Sequence, residues 1–128
     1  MTERRRVLIT GSSRGIGAAI ARELAAAGFH VLLSARERVA EAEDLAEELG
    51  GEAAPFGVDL SERGAPDRLF AWADGGGPVH ALVNNAGVYV QQSFLDPDDA
   101  AFSRALEGQL ATNFLSAVAL ATAVAFWL

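Results

Sequence analysis

Short apolar runs alternate along this chain with stretches whose apolar residues recur at helical spacing. Val7-Leu8-Ile9 is the first run. Ile16, Ile20, Leu24 and Ala27 then fall at three- and four-residue intervals, the period of one helix face, and Gly28 fits a C-terminal stop. Phe29 to Leu33, interrupted only by His30, predicts a strand buried on both faces. Val39, Ala42, Leu45, Ala46 and Leu49 share the face of a second helix, which Gly50-Gly51 closes, with Glu41, Glu43, Asp44, Glu47 and Glu48 largely elsewhere. Ala53 to Val58 predicts a third strand, and Pro55 with Gly57 assigns it to a sheet edge. Pro66 suits a helix start, and Leu69, Phe70, Trp72 and Ala73 supply that helix's apolar side. After the Gly75-Gly76-Gly77-Pro78 loop, Val79 to Val83 predicts a fourth strand. Residues 88–98 lack periodicity and read as a loop. Asp99 to Leu128 predicts one long helix, broken near Gly108, with Leu106, Leu110, Phe114, Ala117, Ala121 and Val124 as its stripe.

The order is β-α-β-α-β-α-β-α, which predicts an α/β doubly wound parallel sheet with right-handed crossovers and helices on both faces. In such a sheet ligands sit beyond the carboxyl ends of the strands. Each distinctive polar motif of this chain falls at such an end. The first is Thr10-Gly11-Ser12-Ser13-Arg14-Gly15-Ile16-Gly17, between the first strand and its helix. Glycines there let the backbone approach a pyrophosphate, and the helix start offers free N–H groups and a positive dipole end. Gly17 is expected to let the helix sit close on the strand; an ordinary βα turn remains the alternative for the stretch taken alone. Arg36 stands where an acid usually holds the ribose hydroxyls of NAD, and with Arg14 it suits a 2′-phosphate. The alternative is two solvated arginines. Asp59 is placed to accept from an adenine amine, or else to cap a helix with Ser61-Glu62. Asn84-Asn85-Ala86-Gly87 closes the fourth strand with two amides able to tie adjoining backbone and a glycine that admits a ligand.

Composition narrows the field. A formal charge of −7 and a pI near 4.7 argue against a nucleic-acid surface, and Arg4-Arg5-Arg6 reads as a solvated strand entrance. Without cysteine there is no disulfide or thiolate chemistry. The two histidines, His30 and His80, form no ligand motif, so no metal site is expected. The apolar run behind the arginines is too short for an export signal, which favours the cytoplasm. Gly108 to Leu128 contains no charged residue in 21 positions, and a bilayer span needs about 20 mostly apolar residues. Gln109, Thr112, Asn113, Ser116 and Thr122 interrupt that stretch, which makes a membrane span the lesser reading.

Thr10–Gly17, Asp59 and Asn84–Gly87, in that order and at these intervals, resemble the cofactor-half signatures of the short-chain dehydrogenase/reductase family, nearest the NADPH-dependent 3-oxoacyl-carrier-protein reductase group. The resemblance covers essentially the whole chain. It implies an incomplete Rossmann-like NAD(P)-binding domain over residues 1–128, ending after the fourth strand and its following helix. It places Gly11, Ser13, Arg14, Gly15, Ile16, Gly17, Arg36, Asp59, Leu60, Asn85, Ala86 and Gly87 on the cofactor, with NADP(H) favoured over NAD(H). Asn113, in Ala111-Thr112-Asn113-Phe114-Leu115, matches the asparagine of the family's catalytic tetrad. The family's serine and Tyr-x-x-x-Lys are missing here. All ten basic residues are arginine, the one tyrosine is Tyr89, and position 93 is Ser93 rather than lysine. The resemblance therefore implies an oxidoreductase on carbonyl or alcohol groups whose present chain is inactive alone, with the 100–128 helix forming a homo-oligomer contact. A non-catalytic dinucleotide-binding or interaction module is the other reading.

Overall fold

The computed structural model describes residues 4–50, 53–91 and 99–127. Gly51, the 92–98 part of the expected loop, including Ser93, and Leu128 lie outside them. Four strands, β1 (Arg6–Ile9), β2 (His30–Ala35), β3 (Ala53–Gly57) and β4 (Ala81–Val83), form one parallel sheet in the order β3-β2-β1-β4. The helices are α1 (Gly15–Ala26), α2 (Val39–Glu48), α3 (Ala65–Gly75), α4 (Asp99–Leu110) and α5 (Ser116–Trp127). This is the predicted doubly wound α/β sheet, with β3 at an edge and Pro55 within it.

Alternation along β1 divides the core. Val7 and Ile9 point to one face and pack with Ala18 and Ala21 of α1, Val31 and Leu33 of β2, and Leu45 and Ala46 of α2. Leu8 points to the other face and packs with Leu32, Leu69 and Ala73 of α3, and Leu120 and Val124 of α5. Phe56 and Trp72 join β3 to α3 as stacked rings with centroids 4.9 Å apart. Arg22 and Glu48 join α1 to α2 through two hydrogen bonds of 2.9 and 3.0 Å.

Three expectations need correcting. Ile16 is 74% exposed and Ala27 is exposed, so of the expected stripe only Ile20 and Leu24 pack on the core, beside the buried Gly17, Ala18 and Ala21. The long helix does not break at Gly108, which lies inside α4; its irregularity is a π-helical turn at Ala111–Leu115. Its buried face is Thr112, Ser116, Leu120 and Val124, whereas Leu106, Leu110 and Phe114 are half-exposed or more and Ala121 is exposed. The cause is that α5 is apolar on nearly every side, so apolar spacing could not select the face that meets the sheet. Residues Ala100–Phe126 are long and apolar enough, at mean hydropathy 1.5, to cross a membrane. Leu120 and Val124 nevertheless sit in the core cluster beside the sheet.

Arg6 is the third correction. Its Nη1 donates to Ala73 O at 2.7 Å and to Gly77 O, binding the carbonyl end of α3, and its backbone N–H donates to His80 Nδ1 at 2.9 Å. A half-buried guanidinium on helix-end carbonyls is a clamp rather than a solvated entrance. Arg6→Met is expected to lower stability by about 1–2 kcal/mol, and Arg5→Met, at an exposed position, by no more than about 0.5. Urea unfolding monitored by circular dichroism distinguishes the two.

Candidate functional site

A cleft of about 650 Å³ opens beyond the carboxyl ends of all four strands. The turn after β1 forms its floor. Gly11 and Gly15 take φ of +63° and +58°, which only glycine adopts without strain. Ser12 fastens the turn to the sheet: its Oγ donates to Ile9 O at 3.0 Å and accepts from Ser34 N–H at 3.0 Å. The first turn of α1 carries no acidic residue, and no side chain caps it at Arg14. A Cβ built on Gly15 would meet nothing within 4 Å. The floor is thus an open concavity before a helix start whose N–H groups have no side-chain cap among the described residues, which suits an anionic group.

The wall after β4 is held by one hydroxyl. Thr10 Oγ1 accepts from the N–H groups of Asn85 and Ala86 at 3.1 and 3.0 Å. Asn85 Nδ2 donates to Gly11 O at 3.0 Å, joining wall to floor. Asn84 Nδ2 donates to Ala117 O at 3.0 Å, fixing α5 against the strand end. Both asparagines therefore tie adjoining backbone, as expected. Gly17 differs in detail. A Cβ there would lie 2.4 Å from Gly11 O and 2.6 Å from Asn85 Nδ2, so its smallness serves the turn and the wall rather than the strand.

At the opposite end Arg36 follows β2 and Asp59 follows β3. Arg36 Nη2 lies 2.8 Å from Glu37 Oε1, and that bond holds the guanidinium pKa above its ordinary value. Asp59 does not cap a helix, because α3 begins after Gly64. Its Oδ1 instead accepts from Ser61 N–H and Oγ at 2.9 and 2.7 Å. Burial pushes the Asp59 carboxyl up, but the Ser61 bonds and the Arg36 charge together hold it below the usual carboxylate value. It is an ionised acceptor at neutral pH.

Of the residues expected on a cofactor, Gly11, Ser13, Arg14, Gly15, Ile16 and Arg36 line this cleft, as do Asp59, Leu60, Asn85, Ala86 and Gly87. Gly17 lies behind the lining. Asn113 stands beside it: Oδ1 accepts from Val88 N–H at 2.7 Å and Nδ2 donates to Val88 O at 2.8 Å, so both ends of the amide hold the backbone of Val88. Sequence reasoning missed Ser34, Glu37, Arg38 and Thr112 in the lining. Thr112 begins the π-helical turn's second position, and its hydroxyl is buried with no hydrogen-bond partner among the described residues. Only the neighbouring Asn113 match pointed towards it. π-Helical turns gather at functional sites in other proteins.

The family model of the short chain dehydrogenases matches residues 5–127. The chain belongs to the short-chain dehydrogenase family. It is 42% identical over 108 residues to a 3-oxoacyl-acyl-carrier-protein reductase of Aggregatibacter actinomycetemcomitans, covering 81% of this chain and 45% of that protein. It is 39% identical over 106 residues to human L-xylulose reductase, covering 83% and 41%. A solved 3-oxoacyl-acyl-carrier-protein reductase from Agrobacterium tumefaciens with NADP bound superposes at TM-score 0.78 with 37% identity, covering 94% of this chain and 46% of that one. A metagenomic blue fluorescent protein in complex with NADPH superposes at 0.85 with 26% identity, over 95% and 50%. This member of the family thus spans about half the length of the relatives it matches.

Proposed function

We propose that residues 1–128 are the cofactor-holding half of an NADP(H)-dependent short-chain dehydrogenase/reductase acting on a carbonyl or alcohol group in the cytoplasm. The observation that carries this reading is the cleft itself. One concavity joins a glycine floor under the uncapped α1 start, an arginine at each of two strand ends, and an ionised Asp59. NADP-bound neighbours of the same fold support a dinucleotide there. Bound in it, the cofactor supplies the hydride that passes to or from the substrate carbon.

The protein's own part is binding and orientation. The α1 N–H groups meet the pyrophosphate, Arg14 and Arg36 meet the 2′-phosphate, and Asp59 accepts from the adenine amine. Thr10 and Asn85 keep the wall rigid while Gly87 leaves room. Asn113, the counterpart of the tetrad asparagine by resemblance, holds the Val88 backbone beside the cleft. Proton transfer to the carbonyl needs the serine, tyrosine and lysine that the resemblance places in a further segment, so this chain alone turns over no substrate. The exposed Leu110, Phe114 and Val118 face is the proposed homo-oligomer contact.

Isothermal titration of the 128-residue chain with NADPH tests the reading. Saturable binding is expected, weakened about five- to tenfold in Arg14→Ala by loss of a charge-assisted contact. Absence of saturable binding, or hydride transfer by the chain alone, overturns it.

A further inference from the structure

A second pocket, of about 520 Å³, lies at the other end of the sheet, where the strands begin. Arg6 opens β1, His30 is its register partner at the start of β2, and His80 directly precedes β4. The parallel sheet thus brings these three side chains to one rim, and Arg4 with the Gly76-Gly77 loop after α3 encloses the space. The chain carries 17 acidic residues against ten basic ones, yet no carboxylate lines this pocket and both of the chain's histidines do.

Two of the donors are held in place. Arg6 Nη1 is fixed on the carbonyls of Ala73 and Gly77, which leaves Nε and Nη2 of the same planar fork without an acceptor among the described residues. His80 Nδ1 accepts the Arg6 N–H at 2.9 Å, so the neutral ring carries its proton on Nε2 as a donor. Gly76 keeps space beside the fork, since a Cβ there would lie 2.6 Å from Arg6 Nη2. The carbonyl end of α3 opposes an anion. Arg6 covers two of those carbonyls, so the surface left facing the void is one of donors.

We propose that this pocket binds the phosphate group of a small molecule, at a site separate from the cleft and independent of the dinucleotide reading. One phosphate oxygen accepts from the Arg6 fork and another from His80 Nε2, while Arg4 closes the site from its exposed side. A carboxylate has only two oxygens for donors that converge from three side chains, whereas a phosphate has three and the larger charge. The volume lies within the range of small-molecule pockets and leaves room for the carbon skeleton of a phosphate ester.

Because both histidines line this pocket, their ring C–H signals in proton NMR report on it selectively. Inorganic phosphate, glycerol 3-phosphate and acetate are each titrated into the 128-residue chain at fixed pH and ionic strength. Saturable shifts of the histidine signals are expected with both phosphates, and binding of acetate about tenfold weaker or less. Tighter binding of glycerol 3-phosphate assigns the site to an ester, and equal affinities assign it to free phosphate. Arg4→Met, at an exposed position, and Gly76→Ala, at a φ of −94° open to alanine, should both fold. Each is expected to weaken phosphate binding roughly threefold to tenfold, the first by removing a charge and the second by filling the space beside the fork. No saturable shift with either phosphate, an equal response to acetate, or unchanged phosphate affinity in either variant overturns the proposal.

Discussion

Gly17→Ala is expected to destabilise the fold and to weaken NADPH binding about tenfold or more, although alanine is the better helix former. In an open helix interior the exchange gains up to about 1 kcal/mol. At position 17 the new methyl would sit 2.4 Å from Gly11 O, 2.6 Å from Asn85 Nδ2 and 2.9 Å from Ser12 Cα. Two of those three atoms are backbone of the glycine turn, which Ser12 fastens to β1 and β2 and which cannot retreat without breaking those bonds. Forced overpacking costs about 1–3 kcal/mol, which exceeds the helix gain. Binding suffers further, because relief of the clash moves the floor on which the pyrophosphate rests. Gly108→Ala is the matched control. It lies in α4 with nothing within 4 Å of its Cβ position, so the same exchange should leave stability equal or raised by up to about 1 kcal/mol. Thermal unfolding of the two variants, with NADPH titration of each, checks the opposite signs; a Gly17→Ala protein as stable as Gly108→Ala refutes the account.

The sequence made the sheet legible because buried parallel strands such as Val31 to Leu33 are apolar on both faces and end in polar motifs that helices do not share. It made most of the cleft legible for the same reason: glycine floor, Arg36, Asp59 and the Asn84–Gly87 wall all terminate strands. Three things were not legible. Ile16 has the right spacing for the core of α1, yet the first turn of that helix faces the cleft, so its side chain is largely exposed. In the long helix, apolar residues surround the axis, and only contact with Leu8 and Leu69 shows that Leu120 and Val124 face inward. The polar residues Thr112 and Ser116 on the buried side carry no hydrophobic signal; Ser116 is satisfied by Thr112 O at 2.6 Å, a local bond that propensity does not reveal. Glu37 was hidden by its surroundings, one acid among many near the start of an acidic helix.

Thr10→Val is expected to lower stability by about 2–3 kcal/mol, a fall in Tm of roughly 10 °C, and to loosen the site as well. Valine keeps the shape of the side chain, which is 1% exposed, so no cavity forms. What disappears is the oxygen that accepts from both Asn85 and Ala86. The Asn85 N–H retains a second acceptor in Val83 O at 3.1 Å, whereas no other acceptor for the Ala86 N–H is found among the described residues. The larger share of the cost therefore falls on Ala86, whose Cα would lie 2.9 Å from a Cβ built on Gly11, so wall and floor approach closely there. A wall released there recedes from the floor, and NADPH affinity should fall about threefold to tenfold along with stability. Thr10→Ser separates the hydroxyl from the packing: it restores the acceptor while losing one methyl group, worth about 1 kcal/mol. Thr10→Ser should therefore recover NADPH affinity close to the unsubstituted chain while remaining slightly less stable. Equal affinities in Thr10→Val and Thr10→Ser would show that the hydroxyl does not hold the wall in place.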